Sequence, residues 1–186
     1  MVKLSAKCIV AGDSTVGKST LIQLFRSDGS HFQKNYTMTT TMDVIMKTIP
    51  IPDTSDSVEL FLCDSPGKAM FYEMTEMLWD QPGALCLVFD VTSETSFTGC
   101  SRWLQRVKSK TMSPHLPGVL VANKTDLTGR RVVEKNQAEE WAVSHGLEYF
   151  ETSAKELENY DQPFRALAKA FHRLYQERVE GIRNLA

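Results

Sequence analysis

Eight consecutive residues, Gly12-Asp13-Ser14-Thr15-Val16-Gly17-Lys18-Ser19, constrain this chain more than any other stretch. They satisfy the pattern G-x-x-x-x-G-K-[ST], and they stand between an apolar run, residues 4–11, and a helical pattern, residues 18–26. Glycine lets the backbone wrap closely, so successive N–H groups turn inward as an anion nest at a helix N-terminus. In such a loop the Lys18 ammonium adds a point charge beside the outer phosphates. The Ser19 hydroxyl is placed to ligate Mg²⁺, with Thr20 beside it on the same turn.

The chain continues the strand-then-helix alternation that this loop begins. Apolar runs at 4–11, 58–63, 84–91, 118–122 and 147–150 are nearly continuous, as parallel strands buried on both faces are. Residues 42–51 alternate instead, Val44, Met46 and Thr48 against Ile45, Lys47 and Ile49. Asp53-Thr54-Ser55-Asp56-Ser57 supplies a turn after them, so this strand should form an antiparallel hairpin near a sheet edge. Helical patterns cover residues 94–110, carrying Phe97, Trp103, Leu104 and Val107, and residues 133–145, stopped by Gly146. A last helix should take Pro163 as its first residue and run to Ile182, with Phe164, Leu167, Ala168, Phe171, Leu174 and Tyr175 as its apolar stripe. The expectation is one domain spanning 1–186, an open α/β sheet with helices on both faces. Ligands of such sheets sit beyond the carboxyl ends of the strands.

The loops at those ends carry the remaining polar motifs. Asp64 closes the third strand in Asp64-Ser65-Pro66-Gly67, where its carboxylate can hold a magnesium ion through water. Gly67 would bring a bare backbone N–H to a terminal phosphate. Asn35-Tyr36-Thr37-Met38-Thr39-Thr40-Thr41 is a hydroxyl-rich loop, and one of its threonines could complete the metal shell. Asn123-Lys124-Thr125-Asp126 follows the fifth strand, and Thr152-Ser153-Ala154-Lys155 the sixth. An Asp126 carboxylate can accept from guanine's N1–H and exocyclic amine, a donor pair adenine lacks. Asn123 can bridge the loops and reach N7, the Lys124 stem can cover the base face, and the Ala154 N–H can meet O6. Polar pairing of this kind rejects the wrong base by roughly 10⁴ or more.

Composition sets the outer bounds. Lys plus Arg number 21 against 23 for Asp plus Glu, a net charge of −2, so no basic face for nucleic acid is expected. The longest apolar stretch, residues 84–89, is far below the roughly 20 residues a membrane helix needs. The first residues, Met1-Val2-Lys3-Leu4-Ser5, have no signal-peptide character. Cys8, Cys63, Cys86 and Cys100 form no C-x-x-C pair and read as buried free thiols.

Together these motifs, in this order, resemble the small GTPases of the Ras superfamily across essentially the whole chain. Gly12-Asp13-Ser14 and the Tyr36…Thr39…Asp43 pattern are most similar to the Rab branch. The resemblance implies a three-layer P-loop small GTPase fold, a six-stranded mixed sheet with one antiparallel edge strand and five helices. It implies GTP/GDP and Mg²⁺ as ligands, with Gly12, Asp13, Ser14, Thr15, Val16, Gly17, Lys18, Ser19, Thr20, Thr39, Asp64, Gly67, Asn123, Lys124, Asp126, Ser153, Ala154 and Lys155 as the binding set. Ser19, Thr39 and Asp64 are its metal side; Lys18, Gly67 and Lys68 are its catalytic side. Thr39 is the first-switch threonine, and the second switch opens at Asp64 to Lys68. Phe25-Arg26-Ser27-Asp28-Gly29, His31-Phe32-Gln33-Lys34, Pro52-Asp53-Thr54 and Ser57-Val58-Glu59-Leu60-Phe61 narrow the likeness to the Rab-like GTPase subunits of intraflagellar transport B complexes. That family pairs with a small β-sandwich subunit as a heterodimer and acts in cytoplasm and cilium.

Three departures qualify the resemblance. Lys68 stands where the family has a water-orienting glutamine; an ammonium has donors only and cannot take a hydrogen bond from the attacking water. Very slow intrinsic hydrolysis is expected. Pro66 and Thr41 replace an alanine and a glycine, and both should stiffen the switches. No cysteine follows Cys100 and the chain stops at Asn184-Leu185-Ala186, so neither a prenylated tail nor a direct membrane anchor is expected. Met70, Phe71, Met74, Met77 and Leu78 fall at helical spacing, either as an adaptable partner surface or as packing against the sheet. His31, His115, His145 and His172 suggest no chemistry. The alternative to a switch is a constitutive structural subunit that nucleotide merely stabilises.

Overall fold

Six strands, β1 (Lys3–Ala11), β2 (Asp43–Pro50), β3 (Ser57–Asp64), β4 (Ala84–Asp90), β5 (Gly118–Asn123) and β6 (Glu148–Glu151), form a mixed sheet in the order β2-β3-β1-β4-β5-β6. The computed structural model describes residues 1–32, 35 and 37–184; the expectations placed on Gln33, Lys34, Tyr36, Leu185 and Ala186 lie outside the described residues. β2 pairs antiparallel with β3 and lies at the edge, and the other pairings are parallel. Five α-helices among the described residues, α1 (Lys18–Arg26), α2 (Tyr72–Leu78), α3 (Glu94–Lys108), α4 (Lys135–Ser144) and α5 (Gln162–Arg183), complete three layers. This is the α/β arrangement the alternating pattern implies.

β4 shows why the strands had to be apolar throughout. Cys86 and Val88 point into one core with Leu24 and Phe25 of α1 and Phe164 and Leu167 of α5. Leu85, Leu87 and Phe89 point into the other, with Phe97, Trp103 and Leu104 of α3 and Ala138 of α4. Side chains of a strand alternate between faces, so only a strand covered on both sides is apolar at every position. β2 has one covered face: Ile45 and Ile49 are buried while Val44 and Met46 are exposed. Lys47 shares the inward row, but its ammonium reaches the Phe25 carbonyl and the Asp28 carboxylate, and it lies 4.7 Å from the Phe25 ring centroid. All four cysteines are free and buried, as their apolar settings imply, and burial pushes the Cys63 thiol up to about 11.

Element ends correct the sequence in small ways. Gln162, not Pro163, opens α5, with Pro163 second, where its missing N–H is still harmless. α4 begins at Lys135 rather than 133, because Glu134, at φ −70° and ψ 145°, is still extended and serves as the N-cap. α3 stops at Lys108, two residues short of expectation. The α5 stripe is deepest at Phe164, Leu167 and Ala168 and becomes half-buried at Phe171, Leu174 and Tyr175. His172, for which the sequence suggests no role, is buried, and its Nε2 donates to Asp56 Oδ2 at 2.9 Å. Asp56 also accepts from the Val2 N–H, so α5, the β2–β3 turn and the N-terminal residues meet at one carboxylate.

Candidate functional site

The loop between β1 and α1 is held in a shape few residues tolerate. Gly17 adopts φ +103°, and a Cβ there would stand 2.2 Å from Asn123 Nδ2. Thr15 is itself left-handed at φ +68°. Lys18 is 6% exposed and donates to the carbonyls of Gly12 (2.9 Å) and Asp13 (2.8 Å). Burial lowers its pKa to about 8, against the pull of Asp64 and Asp13. A buried cation restrained in this way is one whose charge an anion in the loop would restore.

Three oxygens gather beside it. The hydroxyls of Ser19 and Thr39 lie 3.0 Å apart. Asp64, at the end of β3, is buried; burial pushes its carboxyl up, opposed by a hydrogen bond from Ser19 and by Lys18. Its Oδ1 is buried and has no hydrogen-bond partner among the described residues. Two hydroxyls and an uncompensated buried carboxylate oxygen suit a hard oxygen-seeking cation such as Mg²⁺. Ser19, Thr39 and Asp64 are the residues that would hold it.

Across the loop, backbone meets backbone. A Cβ on Gly67 would sit 2.4 Å from the Ser14 nitrogen and 2.5 Å from the Asp13 carbonyl carbon, so only glycine fits. Lys68 follows, exposed and facing the same cavity. Met70, Met74, Met77 and Leu78 are exposed and Phe71 half-buried, so this cluster is a surface rather than sheet packing.

The opposite side of the site is tied by one amide. Asn123 is 1% exposed; its Nδ2 donates to the Val16 carbonyl (2.9 Å), and its Oδ1 accepts from Thr152 Oγ1 (3.1 Å) and the Ala154 N–H (3.3 Å). It bridges three loops as expected. The Ala154 N–H, expected to face a base oxygen, is engaged by Asn123 here, because that side chain satisfies it from within the protein. The Thr125 N–H and hydroxyl both donate to the Thr152 carbonyl. Ser153 Oγ donates to Asp126 Oδ1 at 2.7 Å, which fixes the carboxylate plane. Lys155 Nζ stands 4.0 Å from Asp126 Oδ2. Lys124, at φ +67°, ends 2.7 Å from Asp90 Oδ2. Burial of Asp90 raises its pKa, yet Lys124 and Thr92 outweigh it and hold the carboxyl below its ordinary range.

These groups converge on a cavity of about 310 Å³ beyond the carboxyl ends of the strands. Of the residues singled out from sequence, Ser14, Thr15, Gly17, Lys18, Ser19, Thr20, Thr39, Gly67, Lys68, Asn123, Lys124, Asp126, Ala154 and Lys155 line it. Gly12, Asp13, Val16, Asp64 and Ser153 stand behind that lining. Asp13 turns away: its Oδ1 accepts from Trp103 Nε1 (2.8 Å) and Arg102 (3.1 Å) of α3.

A family model, Ras family, matches residues 7–173, a span that contains every loop of this cavity. The chain belongs to the Ras family. Within it, the chain is 60% identical over 186 residues to the intraflagellar transport protein 27 homolog of Homo sapiens, covering 100% of both chains. It is 40% identical to intraflagellar transport protein 27 of Chlamydomonas reinhardtii, over 97% of this chain and 91% of that protein. It is 34% identical to Ras-related protein Rab-13 of Bos taurus, over 88% of this chain and 78% of that one. Ras-family membership gives the sequence motifs one common frame, and it agrees with the sheet order and the single antiparallel edge strand.

Sequence reasoning missed several residues. Asp90 anchors Lys124, Thr152 supports Asn123, and Phe32 and Leu127 join the lining alongside Asn35 and Thr37 of the hydroxyl-rich loop. Asp90 carries a usable signal, an acid at the carboxyl end of a buried strand. Phe32 and Leu127 carry none, because an apolar residue in a loop reads the same whether it faces a ligand or solvent.

Proposed function

We propose that this chain is a GTP/GDP-binding, Rab-like subunit of intraflagellar transport that hydrolyses GTP very slowly and acts through protein partners. The observation that carries the reading is the meeting, around one cavity, of the Lys18 phosphate loop, the Ser19–Thr39–Asp64 oxygens and the Asp126 carboxylate oriented by Ser153. Phosphates fit the loop, Mg²⁺ the oxygens, and a guanine edge the carboxylate. The site names no second purine: adenine offers Asp126 no paired donors. The resemblance to intraflagellar transport protein 27 supports the cilium and cytoplasm as its setting and a small β-sandwich subunit as partner.

When bound, Mg²⁺ would supply charge neutralisation at the outer phosphates. The protein's own part is to hold those phosphates with Lys18 and the loop's N–H groups and to aim Gly67 at the terminal one. Lys68 neutralises charge there but can accept no hydrogen bond from the attacking water, so hydrolysis lacks an orienting group. Single-turnover hydrolysis with Lys68→Gln tests this directly. A rise of about tenfold or more is expected; an unchanged rate would remove Lys68 as the cause. Partner affinity measured with GDP and with a non-hydrolysable GTP analogue separates a switch from a constitutive subunit, since equal affinities leave no population to shift.

A further inference from the structure

The segment from Gly67 to Tyr72 is fastened at both ends to parts of the molecule that touch each other. At its start, Gly67 presses on the backbone of Asp13 and Ser14. At its end, the Tyr72 ring meets Trp103 edge-on, with centroids 4.8 Å apart, and carries the Arg106 guanidinium 4.0 Å from its centroid. Arg102 lies 5.8 Å from the same ring. One turn further along α2, Glu76 sits 3.3 Å from Arg106 Nη1, an ion pair without hydrogen-bond alignment. Trp103 and Arg102 both donate to Asp13 Oδ1. Phosphate loop, Gly67, Tyr72 and α3 therefore form a closed ring of contacts, and Lys68 rides on the segment it encloses.

We propose that Tyr72 is a positioning residue for the terminal-phosphate side of the site: by clamping the start of α2 to α3 it holds the segment carrying Gly67 and Lys68 against the phosphate loop. The inference rests on the guanine-nucleotide reading above and deepens it. Every contact of the clamp is between protein groups. The segment's position matters only to a nucleotide that reaches Gly67 and Lys68. A diphosphate does not extend that far; a triphosphate does. Loss of the clamp should therefore act on one nucleotide and spare the other, which general loosening of the fold would not do.

The test is the dissociation rate of fluorescent mant-GDP and mant-GppNHp from the full-length chain with Mg²⁺ present, for wild type, Tyr72→Ala, Tyr72→Phe and Arg106→Gln. Tyr72→Ala is expected to speed GppNHp release about tenfold and GDP release less than about twofold, since it removes an aromatic pair and a cation–π contact. Arg106→Gln, which leaves the ring in place, should give the same asymmetry at about threefold. Tyr72→Phe keeps every ring contact and should keep the wild-type ratio. Equal acceleration of both nucleotides, or none in either, with Arg106→Gln as well as Tyr72→Ala, overturns the clamp. A wild-type chain that binds neither nucleotide overturns the guanine-nucleotide reading and the clamp with it.

Discussion

The two sides of the cavity are built differently. On the base side, Asn123, Thr125, Asp126, Thr152, Ser153 and Ala154 bond one another and the phosphate loop, mostly out of contact with water. On the terminal-phosphate side, Thr39 and Lys68 come from exposed segments, and Asp64 keeps a buried oxygen without a protein partner. The first side is complete in itself and presents a fixed edge. The second holds its groups near one another, and the segment that carries Lys68 leads into an α2 packed on α3 through Tyr72. On the guanine-nucleotide reading proposed above, the base would meet a preset edge and the third phosphate a side held by few contacts, so changes on the two sides should have different signatures.

The largest effect is expected on the base side. Asp126→Asn replaces an acceptor-only group with one that presents an N–H to guanine's own donors. GDP affinity should fall about 10³-fold in competition binding, with no gain for ATP. Asn123→Ala should come next, and it should strike the fold as well as the ligand. It orphans the Val16 carbonyl and the Thr152 and Ala154 donors, and denaturant unfolding should show a loss of about 2–3 kcal/mol. Thr39→Ala is the counterpart across the cavity. Unfolding should move by less than about 0.5 kcal/mol for this exposed-loop position, while GTP-analogue affinity falls about tenfold and GDP affinity holds. A stability loss equal to that of Asn123→Ala would erase the contrast between the sides.

The smallest predicted effect lies away from both. His172 and the Val2 N–H hold the Asp56 carboxyl below its ordinary pKa. A carboxyl whose folded pKa is depressed contributes stability above its unfolded pKa, and that contribution fades as pH falls through the folded value. Wild type should therefore melt above Asp56→Asn at pH 7, and the gap should close below about pH 4. A gap that persists unchanged in acid would mean the His172 contact is packing alone.

Legibility in the sequence follows the same division. The strands and the phosphate loop were readable because burial on both faces demands unbroken apolar runs, as at residues 84–90, and because Gly12, Gly17, Lys18 and Ser19 fall at the fixed positions of one short pattern. Lys18, Ser19, Asn123 and Asp126 could be placed from motif position. The side-chain partners could not: that Asp90 holds Lys124, that Asn123 takes the Ala154 N–H, and that Tyr72 sits under Arg106 depend on which loops fold together. His172 was opaque for a related reason, since its partner Asp56 lies 116 residues away in a turn. The methionines at 70, 74 and 77 have helical spacing whether they face sheet or solvent, and only the fold distinguishes the two.

Titration of the purified full-length chain with GDP, and separately with ADP, in the presence of Mg²⁺ addresses the central claim most directly. The arrangement of Lys18, Ser19 and Asp126 predicts saturable GDP binding at micromolar concentrations or below, with ADP weaker by roughly 10³-fold or more. Folded protein that ignores GDP, or that takes ADP equally well, would contradict it.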